Sequence, residues 1–438
     1  MTNVALVVLD TLRKDAFDKH FDWLPGRRYE NAWSTSHWTA PAHASLFTGK
    51  YASEVGIYTN SQRFDCEESL LAEQFADAGY TTRAFSANPN ISPAFDAHRG
   101  FQQFDGEFRL EELGEEMFDW ETFIAGSKDM GSERFAIALK RCLFGDYETI
   151  PSLKHGAKLK LRDMGFGKTD VSDGGERAIS LVQKTDFGNR EFFFANLMEA
   201  HAPYHPPEPF KTVEVDVDTI PATVGSPDAE PSDIQQAYDD SARYLSHVYE
   251  QLFEELRADF DVIVTVSDHG ELLGEHGNWG HMFGLYPELT NVPLSIYTAD
   301  GASGESNVAV NLCDVHRTLV ECIDVESNRR GRNLLGELDG EEFLTEFHGL
   351  RKANYRGLRN EGLEDADRVN ENRNGLVSGD YYGYETVDGW SECGPKPFAN
   401  PKQRLAELVA DCDHRQVEDE EYDLDDDIVS RLEDLGYV

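Results

Sequence analysis

The chain has 438 residues and carries 82 acidic against 40 basic side chains, a formal net charge of -42. That balance excludes docking on nucleic acid or on an anionic membrane through a basic surface. A hydrophobic content of 40% with 26 phenylalanines excludes a disordered acidic protein and leaves room for one large domain with an appendage, or two domains.

Met1-Thr2-Asn3 runs straight into Val4–Leu9. No basic leader, cleavage site or apolar run long enough for a bilayer is present, so a cytoplasmic protein without stable membrane insertion is expected. Val4–Leu9 is short, continuous and valine-rich. It reads as a strand buried on both faces, hence central in a parallel sheet, and it ends at Asp10. Thr11–His20 reads as a polar connection. In Trp38–Gly49, Pro41 belongs to the first turn of a helix, because its φ is fixed and it has no N–H to lose. Thr39 then sits at the helix N-terminus, where free N–H groups and the macrodipole favour negative charge, and His43 lies one turn later on the same face. A hydroxyl that must attack an anionic centre is well placed there. An ordinary N-capping threonine has the same local sequence, so the choice rests on two other stretches, around His201 and Asp268.

Glu67–Gly79 has the apolar spacing of an amphipathic helix stopped by glycine, and Thr81–Ser86 is the next strand. Residues 108–184 interrupt this βα rhythm with a helical insertion. It holds the basic cluster Lys154, His155, Lys158, Lys160, Arg162 and Lys168, which reads as a solvated face. The rhythm resumes with a helix at Glu176–Lys184 and a strand at Glu191–Leu197. Residues 205–236, rich in Pro, Asp and Thr, read as a long surface loop. Ile234–Phe260 is a long helix on which Asp239, Asp240 and His247 read as surface groups. Asp261–Ser267 is a second buried strand, Pro293–Tyr297 a further strand, and Asn311–Cys322 a helix. Residues 1–335 form the main domain. Residues 336–438 change character, with short antiparallel strands at Tyr355–Leu358, Gly375–Val377 and Tyr381–Glu385, an acidic link at Glu418–Asp427 and a terminal helix at Ile428–Leu435. Six scattered cysteines without CxxC spacing read as buried thiols. The dispersed acid is what high salt, which screens self-repulsion, selects for, and marks a halophilic protein.

Three buried strands end in polar groups: Asp10, then Met198–Tyr204 with His201, then Asp268-His269. A parallel sheet delivers its carboxyl ends to one edge, so these residues can converge. An Asp, an Asp-His pair and the Thr39 oxygen make a divalent-cation site. A nitrogen ligand among oxygens favours manganese or zinc over calcium or magnesium. Ser267–His281, with four glycines and several potential ligands directly after a strand, is the most specific stretch of the chain.

These motifs resemble the sulfatase family within the alkaline-phosphatase-like superfamily. The likeness runs from Asn3-Val4 through Leu9-Asp10-Thr11-Leu12-Arg13, Thr39–Gly49, Met198–Tyr204, Ser267–His281 and Leu285–Leu294 to Arg431–Tyr437. It implies an α/β fold, a large mixed and mainly parallel sheet sandwiched by helices, with a small C-terminal α+β subdomain. It implies one divalent metal held by Asp10, Asp268 and His269 with the Thr39 oxygen beside it, and His201 and His281 at the scissile group or leaving oxygen. The family signature has Cys or Ser at the nucleophile, oxidised to formylglycine, with Arg four residues on. Here these are Thr39 and His43, so no formylglycine is expected. Asp, Thr, Asp and His at one metal look more like the phosphodiesterase, phosphonate-ester hydrolase and phosphoglycerol-transferase branches. The expected activity is metal-dependent hydrolysis of a small anionic ester (a glycan, lipid headgroup or metabolite), with phosphodiesters or phosphonate esters ahead of sulfate esters. His43 orients Thr39 or takes its proton. A phosphoglycerol-type transferase and a silent anion-binding homologue are the alternatives.

Overall fold

β1 (Val4–Leu9) is buried at every position, with Val4, Leu6 and Val8 in the core on one side of a sheet and Ala5, Val7 and Leu9 in the core on the other. This is why it needs apolar residues at consecutive rather than alternate positions. The computed structural model describes residues 2–106, 174–215, 229–325, 329–360 and 366–417, with single positions at 140 and 227. Except for Lys140, they belong to one unit formed by 1–108 and 173–438. The insertion up to 173 with its basic cluster, the acidic link and the terminal helix lie outside the described residues.

After β1 come β2 (Arg27–Tyr29), β3 (Ala32–Trp33), β4 (Thr81–Ser86), β5 (Gln103–Gly106), β6 (Glu191–Leu197), β7 (Val262–Val266), β8 (Leu272–Leu273), β9 (Trp279–Gly280), β10 (Leu294–Thr298), β11 (Gly304–Ser306) and β12 (Val310–Asn311). Among the described residues the main sheet has eight strands in the order β11-β2-β10-β7-β1-β6-β4-β5. β10 runs antiparallel to β7 and β2, and the remaining pairs are parallel. Leu6 sits between Phe194 and Val264 in register. The helices Thr39–Thr48, Leu71–Asp77 and Leu312–Glu321 cover one face, and Lys14–His20, Gly175–Lys184 and Pro231–Leu256 cover the other. β3 pairs with β12, and β8 with β9, outside this sheet.

A second sheet is antiparallel, formed by β13 (Glu342–Phe347), β14 (Arg373–Ser378), β15 (Tyr381–Thr386) and β16 (Gly389–Cys393) in sequence order. Phe343, Leu344, Leu376 and Tyr382 of this sheet join Trp33, Leu272, Phe283 and Leu285 in one core. No described helix is long and apolar enough to cross a membrane.

Some local features differ from what the sequence leads one to expect. Thr11–His20 is not wholly a connection, since Lys14–His20 is a helix that buries Ala16 and Phe17. Tyr355–Leu358 is not a strand. It lies in the helix Lys352–Asn360, where Asn354 and Leu358, four apart, are buried positions. The loop expected to 236 ends at Pro231, which opens the 26-residue helix Pro231–Leu256. On that helix Asp240 is buried and accepts from the Thr212 N–H and hydroxyl, so it is no surface group.

Phe194 in β6 is fully buried and packs edge-on against Phe47 of the Thr39–Thr48 helix at 5.2 Å. Phe194→Ala is expected to remove about 3–5 kcal/mol of stability, read from the urea midpoint at unchanged m.

Candidate active site

The carboxyl ends of the parallel strands meet at one edge. Asp10 follows β1 and donates its N–H to Leu197 at the end of β6. Asp268 and His269 follow β7, Asn88 follows β4, and Asn196 lies within β6. The helix Thr39–Thr48 enters this edge with Thr39 as its first residue after the Trp38 N-cap. All ten of its residues are buried, and Gly49 closes it at φ 67°. Gly270 has to be glycine, because a Cβ there would lie 2.0 Å from the Glu288 carbonyl oxygen.

One turn at this edge is strained. Thr11, a β-branched residue, has φ 56°. Tyr238 holds it, donating its hydroxyl to the Thr11 carbonyl at 2.9 Å and accepting the Arg13 N–H at 2.8 Å. The Thr11 N–H thereby reaches Asp268 Oδ1 at 3.4 Å. The strain places a backbone donor on a buried carboxylate.

Asp10, Asp268 and His269 offer ligand atoms that all lie within 4.8 Å of one another, and all three are buried. His269 Nε2 stands 3.5 Å from Asp268 Oδ2, 3.9 Å from Asp10 Oδ1 and 3.3 Å from the Thr39 hydroxyl. His269 Nδ1 faces the Gly270 carbonyl at 3.0 Å, which assigns it the proton and leaves Nε2 as a lone-pair donor. Asp10 Oδ1 and Asp268 Oδ2 are buried without a hydrogen-bond partner. Burial and the charge of Asp268 push the Asp10 carboxyl up to about 8; burial pushes Asp268 to about 7 against the backbone N–H groups of His269 and Thr11. Two orphaned carboxylate oxygens, an imidazole nitrogen and a hydroxyl fit a divalent cation.

Two asparagines that carry no motif in the sequence complete the wall. Asn88 Nδ2 donates to Asp10 Oδ2 at 2.7 Å and to the Thr39 hydroxyl at 3.3 Å. Asn196 Nδ2 stands 3.4 Å from Asp10 Oδ2 and 3.2 Å from His43 Nε2. His43 Nδ1 donates to the Thr39 main-chain carbonyl at 2.9 Å. Both ring nitrogens of His43 are therefore engaged away from the Thr39 hydroxyl, and burial pushes its pKa down to about 3. In this geometry His43 meets the Thr39 backbone and Asn196, not the Thr39 hydroxyl.

His201 and His281 face each other with ring centroids 5.0 Å apart, and His281 lies 4.6 Å from His269. Burial lowers all three histidines, and the neighbouring imidazoles lower His201 and His281 further, His201 to about 3. Glu271 Oε1 meets His281 Nδ1 at 3.0 Å. Arg13 anchors the same loop, donating to the Glu271 carbonyl at 3.0 Å and pairing with Glu275 at 2.8 Å. His37, two residues before Thr39, is buried within the electrostatic reach of His269, His281 and His348. Its spacing from Thr39 was the one sequence signal that could have flagged it; Glu271 was visible only as part of the glycine-rich stretch.

Residues 3–325 match the family model described as Sulfatase. An uncharacterized sulfatase, YidJ, of Escherichia coli strain K12 is 23% identical over 347 residues, covering 74% of this chain and 66% of the relative. The low-salt glycan biosynthesis sulfotransferase Agl7 of Haloferax volcanii is 28% identical over 249 residues, 48% of this chain and 61% of the relative. The chain thus spans a little under two thirds of the length of both. Among solved structures, a phosphonate monoester hydrolase of Agrobacterium radiobacter superposes with a TM-score of 0.58 at 17% identity, over 94% of this chain and 92% of that one.

Two outcomes are expected at this site. Carboxylates whose folded pKa lies above the unfolded value weaken the fold as pH rises through that window. The metal-free protein should therefore lose stability between about pH 4 and pH 8, and an added divalent cation should restore more at pH 8 than at pH 6. Thermal unfolding with and without cation, and calorimetry in buffers of different ionisation enthalpy to count released protons, check this. Tyr238→Phe leaves two buried backbone groups of the Thr11 turn unpaired and should cost about 1–3 kcal/mol, read by denaturant unfolding.

Proposed function

The chain belongs to the sulfatase family, and from that premise we propose that it is a metal-dependent hydrolase of small anionic esters with Thr39 as nucleophile. One observation supports this above the rest: the Thr39 hydroxyl stands 3.3 Å from both His269 Nε2 and Asn88 Nδ2, beside two carboxylate oxygens without partners.

A divalent cation at Asp10, Asp268 and His269 supplies charge neutralisation and a lower pKa for the nucleophilic hydroxyl. Asn88 orients the Thr39 oxygen, and the first-turn amides of its helix favour the negative charge that builds up there. Thr39 Oγ1, its proton released to solvent as a bound cation would lower its pKa, attacks the phosphorus or sulfur, and the ester oxygen leaves on the opposite side. An anion bound beside His201 and His281 raises their proton affinity, so this pair is assigned the proton that the leaving oxygen takes. Water then cleaves the threonine ester, or an acceptor alcohol takes the group. His43 acts as a positioning residue for Thr39.

Phosphodiesters and phosphonate esters are the favoured substrates, because threonine does not yield formylglycine and must work as a plain alkoxide. Sulfate esters are the second reading, and the names of both curated relatives favour it. The acid spread along the chain supports work in high salt.

Nitrophenyl sulfate, phosphate monoester, phosphodiester and phosphonate, each assayed at high salt with manganese, zinc, calcium and magnesium, test the proposal. Diester or phosphonate turnover that falls roughly a thousandfold or more in Thr39→Ala is expected. Dominant sulfate turnover would replace the first reading by the second, and no turnover with cation bound would favour the silent homologue.

A further inference from the structure

Trp38 adjoins Thr39 in the chain and Asn90 is linked to it through Asn88, and both carry polar groups without a use in the reaction above. Trp38 precedes Thr39 in the chain and is its helix N-cap. Asn90 is held from the other side: its N–H donates to Asn88 Oδ1 at 2.8 Å, and Asn88 Nδ2 in turn donates to the Thr39 hydroxyl at 3.3 Å. Asn90 is 0% exposed and Trp38 2% exposed. The indole Nε1 of Trp38 and both the oxygen and the nitrogen of the Asn90 amide are buried without a hydrogen-bond partner. Buried polar side chains are satisfied in the great majority of cases, so each exception asks for a reason, and three orphaned atoms on two residues tied to one nucleophile suggest a common one.

The chemistry of the orphans selects the ligand. The scissile phosphoryl or sulfuryl oxygens are anionic and only accept, so they would suit the Trp38 N–H and the Asn90 Nδ2 but would face the Asn90 oxygen with like charge. A hydroxyl both donates and accepts. It can satisfy the Asn90 oxygen and nitrogen together, and a second hydroxyl can take the indole N–H. We propose that Trp38 and Asn90 are specificity-determining residues that read a hydroxyl-bearing organic group of the ester. This rests on the hydrolase reading above and extends it to the part of the substrate that does not react. Sites built to hydrogen-bond a substrate hydroxyl discriminate strongly against the analogue without it, because the site's own groups are then left unpaired.

The test uses two nitrophenyl phosphodiesters whose second alcohol is glycerol in one and propanol in the other, so that leaving group and reacting centre are the same. Wild-type protein should favour the glycerol ester in kcat/KM by about tenfold or more. Trp38→Phe, which removes the N–H together with part of the buried ring, and Asn90→Leu, which keeps the volume, should each reduce that ratio by about tenfold. The thermal midpoint of Asn90→Leu should be equal to or above wild type, since an unsatisfied buried polar group is removed at constant volume, whereas Trp38→Phe should lose some stability to the cavity it leaves. A second arm measures glycerol phosphate against propyl phosphate binding to the cation-loaded Thr39→Ala protein by calorimetry, with the same two variants added. An unchanged ratio in both variants, or no wild-type preference in either arm, overturns the proposal and assigns the orphaned atoms to internal water. If wild type turns over neither ester, the hydrolase reading fails, and the binding ratio alone decides this inference.

Discussion

Two carboxylates without countercharge cannot sit together inside a protein unless something else is bound or a proton is kept. Asp10 and Asp268 are both 0% exposed, and each holds its proton far above the ordinary carboxylate range, to about 8 and about 7. The rest of the site is arranged around that repulsion. Asn88 and Asn196 donate to Asp10, the backbone N–H groups of Thr11 and His269 donate to Asp268, and one oxygen on each carboxylate is left for a cation. A divalent ion bound there would offset what the protein donors do not, and its binding and the protonation of the pair would then be one equilibrium.

The fold supplies rigidity where this arrangement needs it. β1 is clamped between β6 and β7 and buried on both faces, so Asp10 leaves the sheet at a fixed point. Thr39 is fixed twice. Its helix is buried along its whole length, with His43 tied to the Thr39 carbonyl, and the segment before it is buttressed by the second sheet, since Glu346 of β13 donates its N–H to Thr35 and its carbonyl accepts the Ser36 hydroxyl at 2.8 Å. The antiparallel sheet therefore does more than extend the core. It holds the stretch of chain on which His37, Trp38 and Thr39 are carried.

The Arg13 and Tyr238 contacts link two loops that the sequence separates by more than 200 residues. Arg13 fixes Glu271 and Glu275, Tyr238 fixes the Thr11 turn, and Glu271 fixes His281. The candidate metal ligands and the buried histidines thus share one support, so disturbance at either end is felt at the other.

Mainly apolar runs determined β1, β6 and β7 from sequence alone, because a strand buried on both faces leaves few polar positions. The polar residue at the end of each run then announced Asp10, Asp268 and His269, and Pro41 with Gly49 bounded the helix that starts at Thr39. Elements with mixed burial were less legible. Tyr355–Leu358 was too short to separate a period of two from one of 3.6, and Lys14–His20 buries only two side chains. Only the tertiary structure decided that His43 serves the Thr39 backbone, that Asn88 and Asn196 join the wall, and that Glu271 and His37 stand beside the site. Asparagine at a strand end has no periodicity and no motif. Its role comes from which atoms lie within hydrogen-bond reach of it, and that is set by strand order, which the local sequence does not encode.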